Sequence, residues 1–299
     1  MTICTLTLSP ALDIEYRTKS VALGLNRTRE HRVSAGGKGI NVSRAILACA
    51  KDDGMDIPFA LRTVAPLGGH VGRMISSILE SEGIPVTAVP IAGNTRTNVS
   101  LIPDEGDSLE INAPGTPLGD ALSRIEEAVF EGLGAGDVLV IAGSCPSDVP
   151  KSCPAELVKK AKSLGITAVL DCDGEALKIA VSSDAPPDLI KPNREELAAL
   201  CGLSPDCGTE DLCRAAEGLA VPNVITTMAG EGSMLTRTGA SGERVTERFP
   251  TEARPVVRLK GAGDTYLGAF VYAYWVRREG PGAAMRFAAN VAGEYVAGD

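Results

Sequence analysis

Residues 134–143 read GAGDVLVIAG, a short turn set against an unbroken apolar run. Gly134 or Gly136 closes a preceding helical stretch, Asp137 is an ordinary turn residue, and VLVIAG has the length and composition of a strand buried on both faces. Five other runs share that character: TICTLTL (2–8), ALRTVAP (60–66), TAVLD (167–171), DLI (188–190) and NVITT (223–227). Helix-like segments lie around them, at 38–51, 71–82, 118–131, 154–163, 194–201 and 210–219. That alternation predicts an α/β fold with a mostly parallel sheet covered by helices on both faces.

Two stretches break the rhythm. Residues 13–33 and 87–114 are polar, rich in β-branched residues and punctuated by turns such as Asp104-Glu105-Gly106-Asp107. They predict a small separate β-sheet, a lid inserted twice into one domain spanning residues 1–299. The chain is 44% apolar, enough for one large core. Its formal charge of −9 speaks against nucleic acid or an anionic membrane as the main partner. The longest strongly apolar run, 266–276, is too short to span a bilayer, and the start of the chain lacks a basic leader, so a cytoplasmic protein is expected. Eight cysteines include no Cys-x-x-Cys pair and only two histidines accompany them, which disfavours structural zinc and predicts reduced thiols.

The tetrapeptide Gly-Ala-Gly-Asp recurs at 261–264, followed this time by TYLGAFVYAYWVRRE, a long run without proline. Gly261, Ala262 and Gly263 therefore open a helix. Unpaired amides point outward there, at the positive end of the helix dipole, where a phosphate can approach closely. Asp264 can cap that helix or act as a base; the stretch alone leaves both open. The dinucleotide spacing G-x-G-x-x-G and the P-loop spacing G-x-x-x-x-G-K-[ST] are both absent, so any nucleotide must be held by another design.

SAGGKGINVSRAI (34–46), AGSCPSDVP (142–150), IKPNREEL (190–197), TMAGEGSM (227–234) and GAGDTYLGAF (261–270) occur in one order along the chain. Together they resemble the ribokinase-like, phosphofructokinase-B carbohydrate kinases, the 1-phosphofructokinase and tagatose-6-phosphate kinase branch above all. The resemblance implies an ATP- and Mg2+-dependent phosphoryl transfer to a sugar hydroxyl, with Asp264 as general base and the Gly261–Gly263 turn as the anion cradle. It implies substrate contacts from Asp13, Gly37, Lys38, Asn41, Arg96 and Ser144, with the Arg96 guanidinium suited to fork around a phosphate. Lys191, Asn193, Thr227, Gly230, Gly232 and Asn290 are implied on the nucleotide side, and Glu196, with Asn193, as a water-mediated Mg2+ ligand. Lys38 opens a helix, where a cation opposes the dipole and needs a compensating anion; a sugar phosphate would supply one. Asp171 lies at another strand end, where it can neighbour Lys191; in Asp171-Cys172-Asp173 the two carboxylates resemble a metal pair but lack further ligands, and the pair is read as structural.

The sequence departs from the family pattern at three places. Ala229 stands where glycine is usual in the nucleotide loop, and Arg258 and Lys260 stand before the second Gly-Ala-Gly-Asp, where small or apolar residues are usual. The expected substrate is D-fructose 1-phosphate, phosphorylated at its 6-hydroxyl. The alternatives are a tagatose 6-phosphate or fructose 6-phosphate kinase, or an idle sugar-phosphate or nucleotide binding protein on the same fold. Val99, Leu101 and Ile111 give the lid an apolar face that a second copy would cover, so a homodimer is expected.

Overall fold

The computed structural model describes residues 1–54, 58–239, 241–252 and 254–298. Its main body is a nine-stranded sheet. Seven of the strands run parallel: β1 (Thr2–Leu6), β4 (Ala60–Leu67), β5 (Val86–Pro90), β8 (Val138–Ala142), β9 (Thr167–Asp171), β10 (Leu189–Ile190) and β11 (Asn223–Thr227). Two antiparallel strands, β12 (Ser233–Thr238) and β13 (Arg244–Phe249), extend one edge, giving the order β13-β12-β11-β10-β9-β8-β1-β4-β5. The apolar runs read as strands all lie in this sheet, and β1 sits in its interior between β8 and β4.

Strand β8 shows why those runs are continuously apolar. Leu139 and Ile141 face one core with α3 (Leu122–Phe130), α4 (Cys153–Ser163), α5 (Gly174–Val181), α6 (Arg194–Leu200) and α7 (Thr209–Glu217). Val138, Val140 and Ala142 face the other, with α1 (Lys38–Asp52), α8 (Ala262–Val271) and α9 (Pro281–Ala297). A strand with helices on both faces has no polar side to display. All eight cysteines are unpaired thiols, and no helix among the described residues is long and apolar enough to cross a membrane.

The second sheet has four strands in the order β3-β2-β6-β7, from β2 (Ala11–Thr18), β3 (Thr28–Gly36), β6 (Arg96–Pro103) and β7 (Leu109–Ile111). The expected boundary of its second insertion needs correction. Val86–Pro90 is β5, hydrogen-bonded to β4 at the edge of the large sheet, so within 87–114 only β6 and β7 belong to the small sheet. The helix expected over 118–131 begins as a 3-10 turn at Gly119–Ala121, continues as α3 and ends at Phe130.

The first Gly-Ala-Gly-Asp is a turn, as its letters indicate. Asp137 Oδ1 accepts from the Thr2 amide at 2.7 Å and Oδ2 from the Gly134 amide at 3.0 Å, pinning β1 beside β8. The second copy opens α8. Gly261 is that helix's N-cap at φ +90°, a left-handed conformation that glycine adopts without penalty.

Candidate active site

Parallel strands present their carboxyl ends along one edge, the usual place for a ligand crevice in an open α/β sheet. Here β9 ends at Asp171, Lys191 follows β10, and the loop carrying Ser144 follows β8. The openings of α1 and α8 arrive at the same edge. They meet because α1 and α8 pack unusually closely: a Cβ on Gly268 would lie 2.6 Å from Ala45 Cβ. One helical turn earlier on the same faces stand Asn41 and Asp264, and there Asn41 Nδ2 donates to Asp264 Oδ2 at 2.8 Å. Arg44 Nη1 donates to Asn41 Oδ1 at 2.7 Å and is itself held by Glu82, so the amide of Asn41 turns its donor toward Asp264.

Asp264 is buried, and that burial, reinforced by the Asp171 charge, pushes its carboxyl up to about 6; Asn41, Lys191 and Lys38 pull the other way. It does not cap its helix; the N-cap is Gly261 and no side chain caps the turn. The Ala262 amide donates to the Leu259 carbonyl at 3.1 Å, leaving the Gly263 and Asp264 amides as the first-turn donors without a helical carbonyl before them. A Cβ on Gly263 would come to 3.4 Å from Lys191 Nζ, so this bare turn faces a lysine.

Asp171, read from sequence as structural, lies at the centre of the site. Its carboxylate is fully buried, with Lys38 Nζ 3.2 Å from Oδ1 and Lys191 Nζ 3.2 Å from Oδ2. The anion that Lys38 needs at the start of α1 is therefore this side chain. The Lys191 ammonium is within ion-pair reach of Oδ2 but off the hydrogen-bond direction, which leaves that oxygen with a charge partner and no donor. Burial alone would lower the Lys38 pKa; the carboxylates of Asp171, Glu196 and Asp264 more than reverse this and hold it above the usual lysine value. The place of Asp171 at a strand end beside Lys191 is legible in the sequence; its pairing with Lys38 is not.

The other expected residues fall into three groups. Asp13 is on β2, where Oδ1 accepts from Asn98 Nδ2 at 2.9 Å and Oδ2 lies 3.4 Å from Lys260 Nζ. Arg96 opens β6, but Nη1 and Nη2 donate to the carbonyls of Ala113 (2.9 Å) and Ser9 (3.0 Å), and Nε is buried without an acceptor. Gly37 is the N-cap of α1, and Ser144, exposed, follows Gly143, which lies against Lys38.

On the nucleotide side, Asn193 and Thr227 form a parallel β-bridge, and the Thr227 amide donates to the Pro192 carbonyl at 3.2 Å. Asn193 and Glu196 make a capping box for α6: Asn193 Oδ1 accepts from the Glu196 amide at 2.8 Å, and Glu196 Oε2 accepts from the Asn193 amide at 2.9 Å. Gly230 and Gly232 lie in and just after a 3-10 turn, Ala229–Glu231, in which Ala229 takes φ +47°; the family's usual glycine would sit there without strain. Asn290, on α9, lines a cleft of about 480 Å³ with Phe249, Thr251 and Arg286; its side chain bonds Arg254 and Glu294.

Among the described residues, no three His, Cys, Asp or Glu side chains converge into a ready-made metal cage. The donor-free Asp171 Oδ2 and the Glu196 carboxylate are oxygen ligands of the kind a hydrated Mg2+ accepts, with water and phosphate completing the shell.

Comparisons with known proteins point the same way. A 1-phosphofructokinase of Bacillus subtilis (strain 168) is 31% identical over 273 residues, 90% of this chain and 84% of that protein. The ATP-dependent 6-phosphofructokinase isozyme 2 of Escherichia coli (strain K12) is 30% identical over 277 residues, covering 89% and 84%. Crystalline phosphofructokinase-2 from Escherichia coli, in complex with substrates and products, superposes with a TM-score of 0.87 at 27% identity, over 99% of this chain and 93% of that one. The sequence pattern of the pfkB family carbohydrate kinases matches residues 10–297. With a match over nearly its whole length, the chain belongs to the pfkB family and is an ATP-dependent sugar-phosphate kinase, a phosphotransferase acting on a sugar alcohol.

Proposed function

We propose that the protein transfers the γ-phosphoryl group of ATP to the free 6-hydroxyl of D-fructose 1-phosphate, with Asp264 as the general base. The observation that carries this reading is the placement of Asp264: buried, at a helix opening, with its carboxyl pushed up to about 6 and its orientation fixed by Asn41. A base with that pKa is ionised at neutral pH yet far more basic than an ordinary aspartate, which suits removal of a hydroxyl proton as the phosphoryl group arrives.

Asp13 accepts hydrogen bonds from sugar hydroxyls, with Asn41, Ser144 and the Gly37 turn as further substrate contacts. Arg96, whose charge already feels Asp13, takes the substrate phosphate by exchanging one of its two carbonyls for a phosphate oxygen. Lys38 and Lys191, both anchored on Asp171, place positive charge where the transferred group passes, and the Gly263 and Asp264 amides supply fixed donors to it. Thr227, Gly230, Gly232 and Asn193 hold the nucleotide, and the cleft beside Asn290 takes the base. Mg2+ would be held by Glu196, with Asn193, through water and by the phosphates, and when bound it neutralises phosphate charge.

The test is an ADP-release assay with ATP, Mg2+ and a panel of ketose phosphates. Fructose 1-phosphate is expected to give the highest kcat/KM. Preference for tagatose 6-phosphate or fructose 6-phosphate would reassign the substrate. Binding without turnover on any of them would replace the kinase by an idle binding protein.

The outer face of the small sheet supports a homodimer. Val99 pairs with Ile111 and Leu101 with Leu109, and Leu109 and Ile111 are exposed at a sheet edge. Light scattering at micromolar concentration is expected to give twice the chain mass. Glu replacing Ile111 should shift the population to monomer.

A further inference from the structure

Lys260 stands one residue before the α8 opening turn, and its backbone is anchored. The Tyr295 hydroxyl donates to the Lys260 carbonyl at 2.7 Å, and the Arg258 guanidinium lies 4.9 Å from the centre of the same Tyr295 ring. From that fixed point the side chain crosses to the small sheet, where Nζ lies 3.4 Å from Asp13 Oδ2. The other oxygen of Asp13 accepts from Asn98, its direct neighbour across the β2–β6 pair. One carboxylate oxygen is thus held from its own sheet and the other from the segment that carries Asp264.

The consequence is orientational. The terminal torsion of an aspartate is broad, so a carboxylate with a single donor samples many planes. Asn98 holds one oxygen as a donor while the Lys260 ammonium draws the other by charge from the opposite side; together they bias the plane, and an ionised carboxylate keeps further lone pairs for incoming hydroxyls. Order imposed before binding need not be imposed by the ligand. The Lys260 side chain is about half exposed, so the pair is screened and its contribution is moderate.

We propose that Lys260 is a positioning residue for the sugar site: it acts through Asp13, biasing the plane of the carboxylate that receives the sugar hydroxyls. It serves the sugar rather than the nucleotide. The inference rests on the kinase reading above.

Steady-state kinetics with fructose 1-phosphate and ATP provide the test. Lys260→Met is expected to raise the KM for the sugar phosphate about fivefold, the size of a partly exposed charge pair, while kcat and the KM for ATP move less than about twofold. Lys260→Arg keeps a cationic donor and is expected to stay within about twofold of wild type in all three. In an Asp13→Asn background, Lys260→Met should add less than about twofold, because the group through which it acts is gone.

A KM unchanged or lowered in Lys260→Met overturns the proposal, as does an equal rise with and without the Asp13 carboxylate. A lower melting temperature with no change in KM marks Lys260 as merely structural and also overturns it. A wild type inactive on every ketose phosphate overturns the kinase reading, and this inference with it; an active wild type with an indifferent Lys260→Met overturns the positioning role alone.

Discussion

Replacing Asp264 by Asn is expected to lower kcat by about 10²–10⁴, the span of a lost general base, while the protein becomes more stable at alkaline pH. The two effects share one cause. Burial, and then the Asp171 charge, push the Asp264 carboxyl from 3.8 up to about 6, so the folded state binds this proton more tightly than the unfolded chain does. For an acid raised in this way, stability is greatest below the unfolded value and is lost as pH rises through the folded one. Well above pH 6 the wild type carries an ionised, buried carboxylate at a cost on the order of 3 kcal/mol, which the amide does not. Melting curves at pH 8 should place Asp264→Asn above wild type, with the difference shrinking toward pH 4. The wild-type profile of kcat/KM should fall on the acid side with an apparent pKa near 6. A variant that melts lower than wild type at pH 8 would show that no such cost exists.

Asp171→Asn should have the opposite effect on stability. It leaves the nearly buried Lys191 and the half-buried Lys38 without their shared counter-ion. Removing one partner from a buried ion pair costs about 3–5 kcal/mol, because the charge left behind stays desolvated. Chemical denaturation should report a loss of that size. The double variant Asp171→Asn with Lys38→Met should recover part of it, since one orphaned ammonium is then gone. In whatever activity remains, the acid limb should move to lower pH, because Asp171 is one of the charges that raise Asp264. An unchanged limb would separate the two carboxylates electrostatically.

Much of this fold was legible because a parallel sheet under helices needs apolar runs without alternation, and VLVIAG, TAVLD and NVITT have them. The strands outside that rule were harder. SMLTRT and RVTERF, which form β12 and β13, mix charge with β-branched residues at the antiparallel edge, and neither stands out from loop. Val86–Pro90 shares the polar, β-branched character of the small-sheet segments, so its pairing with β4 was hidden. Helix α5 is only eight residues long, and it begins beside an Asp-Cys-Asp that draws attention to its carboxylates instead.

The site divides in the same way. Gly261–Asp264 is contiguous, and its helix opening follows from the letters. Asp171 joins Lys38 and Lys191 across 133 residues on one side, and only the strand order shows that the three converge. Asn193 and Glu196 were found as a pair, but the capping box they form was not foreseen, nor that Arg96 would spend two donors on main-chain carbonyls. Lys260 is conspicuous before the helix, and its ion pair with Asp13 joins it to the small sheet.

The interior place of β1 also bears on how the molecule comes into being. Asp137 grips the Thr2 amide from 135 residues away, and until β8 exists one edge of β1 has no neighbour. During synthesis β1 must therefore wait, paired only with β4, while the long segment between it and β8 emerges. Closing so long a loop is slow and leaves an apolar edge open to other nascent chains in the meantime. A chaperone that shields the early segment should raise the yield of native protein more than one acting after release.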